Sequence, residues 1–277
     1  MMQPTKTSRL FRLRPILLRV AVWALTIFVF LALWECAVRM GPLARVAAAP
    51  SGIAQWSVQH WDRLLYHAPT TLWETLSGFL IALILALVLG LAIHAVPSWR
   101  SGAITLTAAL NSLPKVVFAP LLFVFLGYEM APKIAMAALI AFFPILIGFL
   151  HGLELVDPSM ELFLATTAAP RWRIFLRVRL PWALRTTVSG CKVAIGLALV
   201  GALVSELINA RRGLAYLLRT GDDNFDLNMY YAGIVAACIM GIVLYLALEC
   251  LDAFFLSRFP PVRASNRTEK WPKSQIA

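Results

Sequence analysis

Residues 75–96 read TLSGFLIALILALVLGLAIHAV, an apolar run that contains no Asp, Glu, Lys or Arg. Crossing the hydrocarbon core of a bilayer takes about 20 predominantly apolar residues in a helix. A helix also satisfies its own backbone hydrogen bonds, which lipid cannot do. This run therefore predicts a transmembrane helix.

Five other stretches have the same character. The chain is 60% hydrophobic and 14% charged, with a mean hydropathy of +0.77, which is too apolar for a soluble domain of this size. The alternating pattern of a membrane barrel is absent from the sequence. We predict an all-α polytopic membrane protein with six transmembrane helices, at residues 16–34, 75–96, 102–126, 134–153, 186–208 and 227–248.

The net charge of +11 comes mainly from cations at the ends of these stretches. This distribution is typical of orientation in a bilayer, so we expect a lipid environment and no nucleic-acid partner. With six spans, the three largest groups fall on one side, which predicts that both termini are cytoplasmic. The groups are Lys6, Arg9, Arg12, Arg14 and Arg19; Arg171, Arg173, Arg177, Arg179 and Arg185; and Arg258, Arg263, Arg267, Lys270 and Lys273.

The chain accordingly divides into three parts. We predict a basic cytoplasmic tail at 1–19, a membrane domain at 20–256 with a cytoplasmic loop at 154–185, and a cytoplasmic tail at 257–277. Residues 41–70 are predicted to be the first external loop. Pro50 can begin a helix there, and Ile53 and Trp56 belong to a helical spacing that suggests a helix in the membrane interface.

Two features of the spans predict close packing or a polar pathway. Pro114 and Pro120 break the third span, which lipid tolerates only against protein or water. Lys115 beside them either extends to the cytoplasmic interface or faces a pathway. Small residues permit close helix contact, within the subunit or between subunits. They recur at Gly78, Ala82, Ala86 and Gly90, and at Gly190, Ala194, Ala198, Ala202 and Ser205.

The cytoplasmic loop carries the most unusual segment. Asp157-Pro158 predicts one helix start and Ala169-Pro170 a second, whose short helix should end before Pro181. Residues 171–181 read RWRIFLRVRLP. We expect Trp172, Phe175 and Leu176 to cluster on one side, with Arg173 and Arg177 on another. Such a segment either lies on anionic lipid headgroups or docks in another protein.

This segment resembles the cytoplasmic signature of permease subunits of binding-protein-dependent ABC importers, in the nitrate/sulfonate/taurine subgroup. That signature reads Glu-Ala-Ala, three residues, Gly, nine residues, Ile or Val, one residue, Leu-Pro. Anchoring on Leu180-Pro181 places Val178 at the aliphatic position and Ala168 at the glycine position. Leu162-Phe163-Leu164 replaces Glu-Ala-Ala, which is a departure. The second half matches the subgroup at Ala169, Arg171, Trp172, Phe175 and Val178.

Other motifs resemble the family in order and spacing over residues 50–260, whereas Glu74 stands where the subgroup usually shows arginine. The matches are Gly78-Phe79, Leu113-Pro114-Lys115, Ala119-Pro120-Leu121, Gly127, Phe143-Pro144-Ile145, Ser189-Gly190, Ala194, Glu206 and Gly213-Leu214. The candidate pathway or packing residues are Pro114, Lys115, Pro120, Gly190, Ala194, Ala198 and Glu206.

The resemblance implies a type I importer permease in the inner membrane, with two copies forming the pore. Its loop, including Ala168, Ala169 and Arg171, would couple to a cytoplasmic ATPase subunit. A periplasmic binding protein would deliver the cargo. Nitrate, sulfonates, taurine, vitamin precursors and aromatic acids are all compatible with the subgroup.

Cofactor binding is not expected in this chain. Its sequence has no Gly-x-x-x-x-Gly-Lys-[Ser/Thr] loop, so ATP and magnesium should bind in the partner ATPase, and the chain should not be an enzyme. Its cysteines, Cys36, Cys191, Cys238 and Cys250, lack metal-ligand spacing.

Two other classes of function remain as alternatives. A stand-alone secondary transporter commonly has internal repeats, and we find none in the sequence. An intramembrane enzyme could use His94, His151, Glu206 and Glu249, but no His-x-x-x-His or paired-aspartate spacing joins them.

Overall fold

The structure is a computed structural model that describes residues 7–41, 46–96, 98, 100–155, 170–209 and 211–258. Every regular element in these ranges is helical. In chain order they are α1 (Thr7–Met40), α2 (Pro50–Gln59), α3 (Trp61–Ala95), α4 (Arg100–Asn111), a 3-10 turn (Lys115–Phe118), α5 (Ala119–Leu126), α6 (Ala131–Glu154), α7 (Arg171–Ile174), a π turn (Phe175–Arg179), α8 (Leu180–Ile208), α9 (Leu214–Asp223) and α10 (Leu227–Arg258).

The described helices match the predicted all-α membrane architecture. Five stretches are long and apolar enough to cross a membrane, at Ala21–Met40, Trp61–Ala95, Ala131–Glu154, Trp172–Ile208 and Leu227–Phe254. The third predicted span is a bent pair, Gly102–Asn111 and Lys115–Leu126, whose halves differ in direction by 76°. The described part of the chain thus has six apolar spans if that pair counts as one.

The bend in the third span begins at the first of its two prolines. Pro114 precedes the 3-10 turn, and its ring excludes the backbone hydrogen bond that would continue α4. Pro120 lies in the first turn of α5, where no intrahelical donor is needed. Only Pro114 is therefore at the break itself.

The predicted external loop at 41–70 is too long. Helix α3 begins at Trp61, so the helix extends well beyond the apolar run that predicted it. Polar side chains in its first turns, His67 and Thr71, are buried against other helices and have partners there. Hydropathy alone does not find helical turns whose polar groups are satisfied inside the protein.

The prediction that α2 lies in the membrane interface is also wrong for its apolar side. Ile53 and Trp56 are buried in a cluster with Leu214, Leu217 and Met229 from α9 and α10. These contacts bury apolar area within the subunit, which keeps α2 on the bundle. Helices α2 and α9 thus both pack on α10, at the end of the bundle where α8 finishes.

Helix α6 is the centre of the core, packed between α3 and α8. A β-carbon added at Gly78 of α3 would lie 2.5 Å from the Ala137 Cβ, and one at Gly190 of α8 would lie 2.6 Å from the Pro144 carbonyl oxygen. Both distances are shorter than van der Waals contact, so the backbones approach as closely as small residues allow. The two small-residue stripes therefore face α6 within the subunit.

The predicted helix end before Pro181 is wrong. Residues Trp172–Ile208 form one continuous helical span, in which Pro181 is the second residue of α8. The preceding π turn changes the bonding pattern, because the Leu180 N–H donates to the Phe175 carbonyl, five residues back. A proline has no N–H to place in that ladder, and such a local turn accommodates the missing donor.

Candidate functional site

The candidate docking segment, defined as Trp172–Pro181, presents only part of its apolar surface. Trp172 is 60% exposed and Leu176 is 49% exposed. Phe175 instead packs beside Leu180 against the cluster that contains Phe149. The expectation that Trp172, Phe175 and Leu176 share one side is therefore wrong for Phe175. Ala168 and Ala169 lie outside the described residues, as does the Asp157-Pro158 helix start, and the side chain of Arg171 is not described.

The docking segment is joined to the far end of α3. The Phe175 ring lies 5.2 Å from the His94 ring, centroid to centroid. The Arg179 Nη1 lies 3.4 Å from the His94 Nε2. His94, considered above for an intramembrane enzyme, thus contacts the docking segment. A displacement of that segment would act on both α3 and α8.

At the opposite end of α8, a buried polar network joins four elements. The Lys133 Nζ of α6 lies 3.1 Å from the Glu74 Oε1 of α3. The Glu206 Oε1 of α8 accepts a hydrogen bond of 2.6 Å from the Thr71 hydroxyl. Its Oε2 accepts one of 2.8 Å from the Ala215 N–H of α9. We call these residues, together with His67 and Gly213, the clasp.

The clasp fixes the turn between α8 and α9. The Leu214 N–H donates to the Thr71 hydroxyl at 2.8 Å, and the Gly213 N–H lies 3.2 Å from the His67 Nδ1. Gly213 has φ +125°, and a β-carbon there would lie 2.2 Å from the Glu206 carboxyl carbon. Only glycine combines that backbone conformation with that approach.

Charge makes the clasp costly to disturb. Glu74 and Glu206 are completely buried and Lys133 is 6% exposed, so two acids share one amine away from water. The Glu74 Oε2 has no hydrogen-bond partner among the described residues, and the neighbouring side chain is the Glu206 carboxyl group. Buried charges are tolerated when they are paired and hydrogen-bonded.

Sequence reasoning found Glu206 but not its partners. No sequence pattern singles out Lys133, and Glu74 stands out only as a departure from the family pattern. A signal was present on α3, where His67, Thr71 and Glu74 follow the i, i+4, i+7 spacing of one helix face. A polar stripe within a membrane helix indicates partners inside the protein.

A second ion-pair group joins α8 to α10. The Lys192 Nζ lies 2.5 Å from the Asp252 Oδ2 and 2.6 Å from the Glu249 Oε2. Glu249, a residue considered for an intramembrane enzyme, is thus paired with a lysine. No group of three His, Cys, Asp or Glu side chains in the described part of the chain could hold a metal ion.

The remaining pathway and packing candidates are Lys115, beside the break after α4, and three small residues of α8. The Lys115 Nζ donates to the Asn111 carbonyl at 2.6 Å and to its Oδ1 at 3.1 Å, so this lysine binds the carbonyl end of α4 at the break. Its Nζ also lies 4.9 Å from the Phe143 ring centroid. Gly190, Ala194 and Ala198 lie in the contact between α8 and α6, where a β-carbon added at Gly190 would meet the carbonyl oxygen of Pro144.

Comparison with known proteins identifies the class. The sequence profile of the family described as "Binding-protein-dependent transport system inner membrane component" matches residues 78–259. The formylaminopyrimidine transport permease protein ThiX of Halalkalibacterium halodurans is 27% identical over 225 residues, 81% of this chain and 90% of that protein. The riboflavin transport system permease protein RibX of Chloroflexus aurantiacus is 28% identical over 230 residues, 82% and 86%. The taurine transport system permease protein TauC of Escherichia coli is 25% identical over 190 residues, 66% and 69%.

The fold is similar to that of a solved ABC transporter structure. An inward-facing structure of the MetNI methionine ABC transporter superposes with a TM-score of 0.57, at 15% identity, over 68% of this chain and 94% of that one. These findings define the class, which is the multi-pass inner-membrane permease subunit of an ABC importer. The chain belongs to the binding-protein-dependent transport system inner membrane component family, and its relatives include permeases for aliphatic sulfonates and taurine.

Proposed function

We propose that two copies of this chain form the translocation pathway of an ATP-driven importer, with ATP and magnesium bound by a separate cytoplasmic ATPase. The observation that carries the proposal is the exposed Trp172 on a helix that runs unbroken to the clasp. The ATPase docks on the segment Trp172–Pro181. Both termini are cytoplasmic, and a periplasmic binding protein delivers cargo at the clasp end.

Helix α8 provides the mechanical link. Together with α7 and the π turn it forms the continuous span Trp172–Ile208, in which Trp172 and Glu206 are about 50 Å apart at a rise of about 1.5 Å per residue. It packs against α6 with no space for an added β-carbon at Gly190, so it moves with α6 as a unit. Closure of two ATPases at the Trp172 end therefore displaces the Glu206 end, where the clasp connects α8 to α3, α6 and α9.

The cargo belongs to the small anions and vitamin-like compounds. The names of the relatives cover formylaminopyrimidine, riboflavin and taurine, which share modest size but no common charge. A permease fold that serves such different compounds leaves most of the selectivity to the binding protein. Uptake assays with taurine, nitrate and a pyrimidine vitamin precursor therefore belong in one panel.

The test of ATPase docking compares apolar with cationic residues of the same segment. Trp172→Ala with Leu176→Ala removes the exposed apolar surface, and loss of a central aromatic anchor costs about 2 kcal/mol or more of binding free energy. That is about a 30-fold weaker association. Arg173→Gln with Arg177→Gln should be milder, because charges at the rim of an interface contribute less.

The measurement is retention of the ATPase on the affinity-purified permease, with membrane insertion as the control for folding. Contact with anionic lipid predicts the opposite order, since each cation then contributes about 1 kcal/mol. If the arginine pair loses the ATPase while the apolar pair keeps it, docking through Trp172 is wrong. Cargo uptake that depends on an ion gradient and needs no ATPase would refute the importer itself and favour a secondary transporter.

A further inference from the structure

Phe225, in the turn between α9 and α10, has an unusual combination of exposure and backbone conformation. It is 92% exposed, the highest value among the large apolar side chains of the described residues. It is also the one non-glycine residue with positive φ among all the described residues, at +57°. A bulky side chain in the left-handed region is a genuine outlier, because its β-carbon crowds the backbone.

Hydrogen bonds show why the backbone takes this conformation. The Asp226 N–H donates to the Gly221 carbonyl at 2.8 Å, and the Phe225 N–H donates to the Asp222 carbonyl at 3.1 Å. These are the two bonds of a Schellman motif, which ends a helix and usually has glycine at the left-handed position. Phe225 occupies that position, so the turn has a strained residue where glycine would adopt the same conformation without strain.

The backbone of this turn is held on both sides of Phe225. On its far side, the Asp226 Oδ1 accepts a hydrogen bond of 3.1 Å from the Met229 N–H and caps α10. On its near side, Gly221 lets α9 approach α10, since a β-carbon there would lie 2.6 Å from the Tyr230 nitrogen. Both flanking helices therefore fix the Phe225 backbone and with it the direction of its Cα–Cβ bond.

The surroundings of Phe225 are acidic. Asp222 and Asp223 are exposed in the same turn, and Asp223 is only 3.9 Å from the Arg219 guanidinium. An exposed aromatic side chain in the same turn as two exposed carboxylates matches the composition of protein interfaces, in which an apolar anchor lies beside polar groups. Anionic lipid headgroups would be repelled by the same carboxylates, which makes a membrane contact unfavourable.

We propose that Phe225 is a docking anchor for the soluble substrate-binding protein. Its ring inserts into an apolar pocket of that protein, and Lys or Arg side chains surround the pocket. This inference rests on the proposed function, which places the α9–α10 turn on the external face. The fixed backbone directs this side chain away from the bundle before the partner arrives, so little backbone entropy is lost on binding. Asp222 and Asp223 attract the basic rim of the pocket.

The experiment uses three variants in the complete complex reconstituted in vesicles. The probe is the soluble binding protein whose addition stimulates ATP hydrolysis by the wild-type complex. Phe225→Ala and Phe225→Gly should each raise the concentration for half-maximal stimulation at least tenfold, whereas Phe225→Trp should stay within about threefold of wild type. Hydrolysis without binding protein should not change, because this turn lies at the opposite end of α8 from the docking segment.

The alanine and glycine variants also separate docking from local structure. Both remove the ring, but only glycine relieves the left-handed strain, so the isolated permease should unfold at a higher temperature with Phe225→Gly than with Phe225→Ala. A docking anchor predicts equal losses of binding-protein affinity in the two variants, with different stabilities. Affinity losses that follow the stability order would show a structural role and overturn the proposal.

Two further outcomes would overturn it. Unchanged half-maximal concentrations in both Phe225→Ala and Phe225→Gly exclude docking through this residue. Dissociation of the permease dimer in these variants would assign the ring to contact with a second copy. If no soluble binding protein stimulates ATP hydrolysis by the wild-type complex, the proposed function itself is wrong. That outcome is measured on the wild type alone, so it is distinguished from a failure of docking through Phe225.

Discussion

Replacement of Lys133 by methionine is the most informative perturbation of the clasp. Among the residues that the structure describes, Lys133 is the one cation in an ion pair with Glu74, at 3.1 Å, and both side chains are almost completely removed from solvent. Methionine keeps most of the side-chain volume but leaves two buried carboxyl groups without an ammonium group. Removing one member of a buried ion pair costs about 3–5 kcal/mol of folding free energy. We expect Lys133→Met to destabilise the fold by an amount in that range.

A second substitution tests whether the cost comes from charge. Replacing a complete buried ion pair by apolar residues of similar volume is often neutral or stabilising. Lys133→Met with Glu74→Met should therefore recover most of the loss, which gives a coupling energy of at least about 2–3 kcal/mol in the double-mutant cycle. Arg39→Met is the matched control. The Arg39 side chain, which pairs with Glu35, is largely exposed, so this substitution should change the folding free energy little.

The assay follows unfolding in mixed micelles through the thiol of Cys191, which is buried in the core. Cys36, Cys238 and Cys250 are exposed and would first be replaced by serine in the background protein. Labelling of Cys191 then reports the open fraction at each detergent composition. Additive effects of the two substitutions, or a loss below about 1 kcal/mol for Lys133→Met, would refute the clasp as a coupled buried network.

Two other predictions concern packing and orientation. Gly190→Leu should greatly reduce the yield of folded, detergent-stable protein, because its added atoms meet the Pro144 carbonyl; Gly196→Leu on the same helix is the control, since no atom lies within 4 Å of its β-carbon position. Equal yields for the two variants would show that the α6–α8 contact is loose. Topology reporters should read in, out, in, out, in, and an external C-terminus would remove the cytoplasmic assignment of the docking segment. The fusion sites are Ser98, Gly127, Arg171, Asp222 and Ala277.

Hydropathy was sufficient to predict the helical spans, although not where each begins. The apolar run at 75–96 found α3, but the helix begins at Trp61 because His67 and Thr71 are satisfied by the α9 turn. The small-residue stripes predicted close packing, and the partner helix α6 could not be named from them. A stripe of small residues indicates how closely another helix can approach, whereas which helix packs there depends on the fold of the whole chain.

The candidate site was predictable only where one segment contains it. Residues 171–181 are contiguous, so their composition was visible at once, but the inward turn of Phe175 depends on a π turn that sequence spacing does not indicate. The clasp was not visible because Glu74 and Lys133 are 59 positions apart and each resembles an ordinary charge near a span end. Phe225 was missed for another reason, since its backbone conformation is imposed by two flanking helices.

The continuous helix through Pro181 changes how force can cross this protein. Had the segment ended before the proline, a flexible turn would separate Trp172 from α8, and ATPase movement would be absorbed there. In the structure, the π turn satisfies the backbone around the missing N–H, and Phe175 ties the same turn to α3 through His94. The Trp172 end therefore acts on two helices at once, and both lead to the clasp through Glu74 and Glu206. The π turn at the proline is what keeps the helix continuous from Trp172 to the clasp, as the proposed coupling requires.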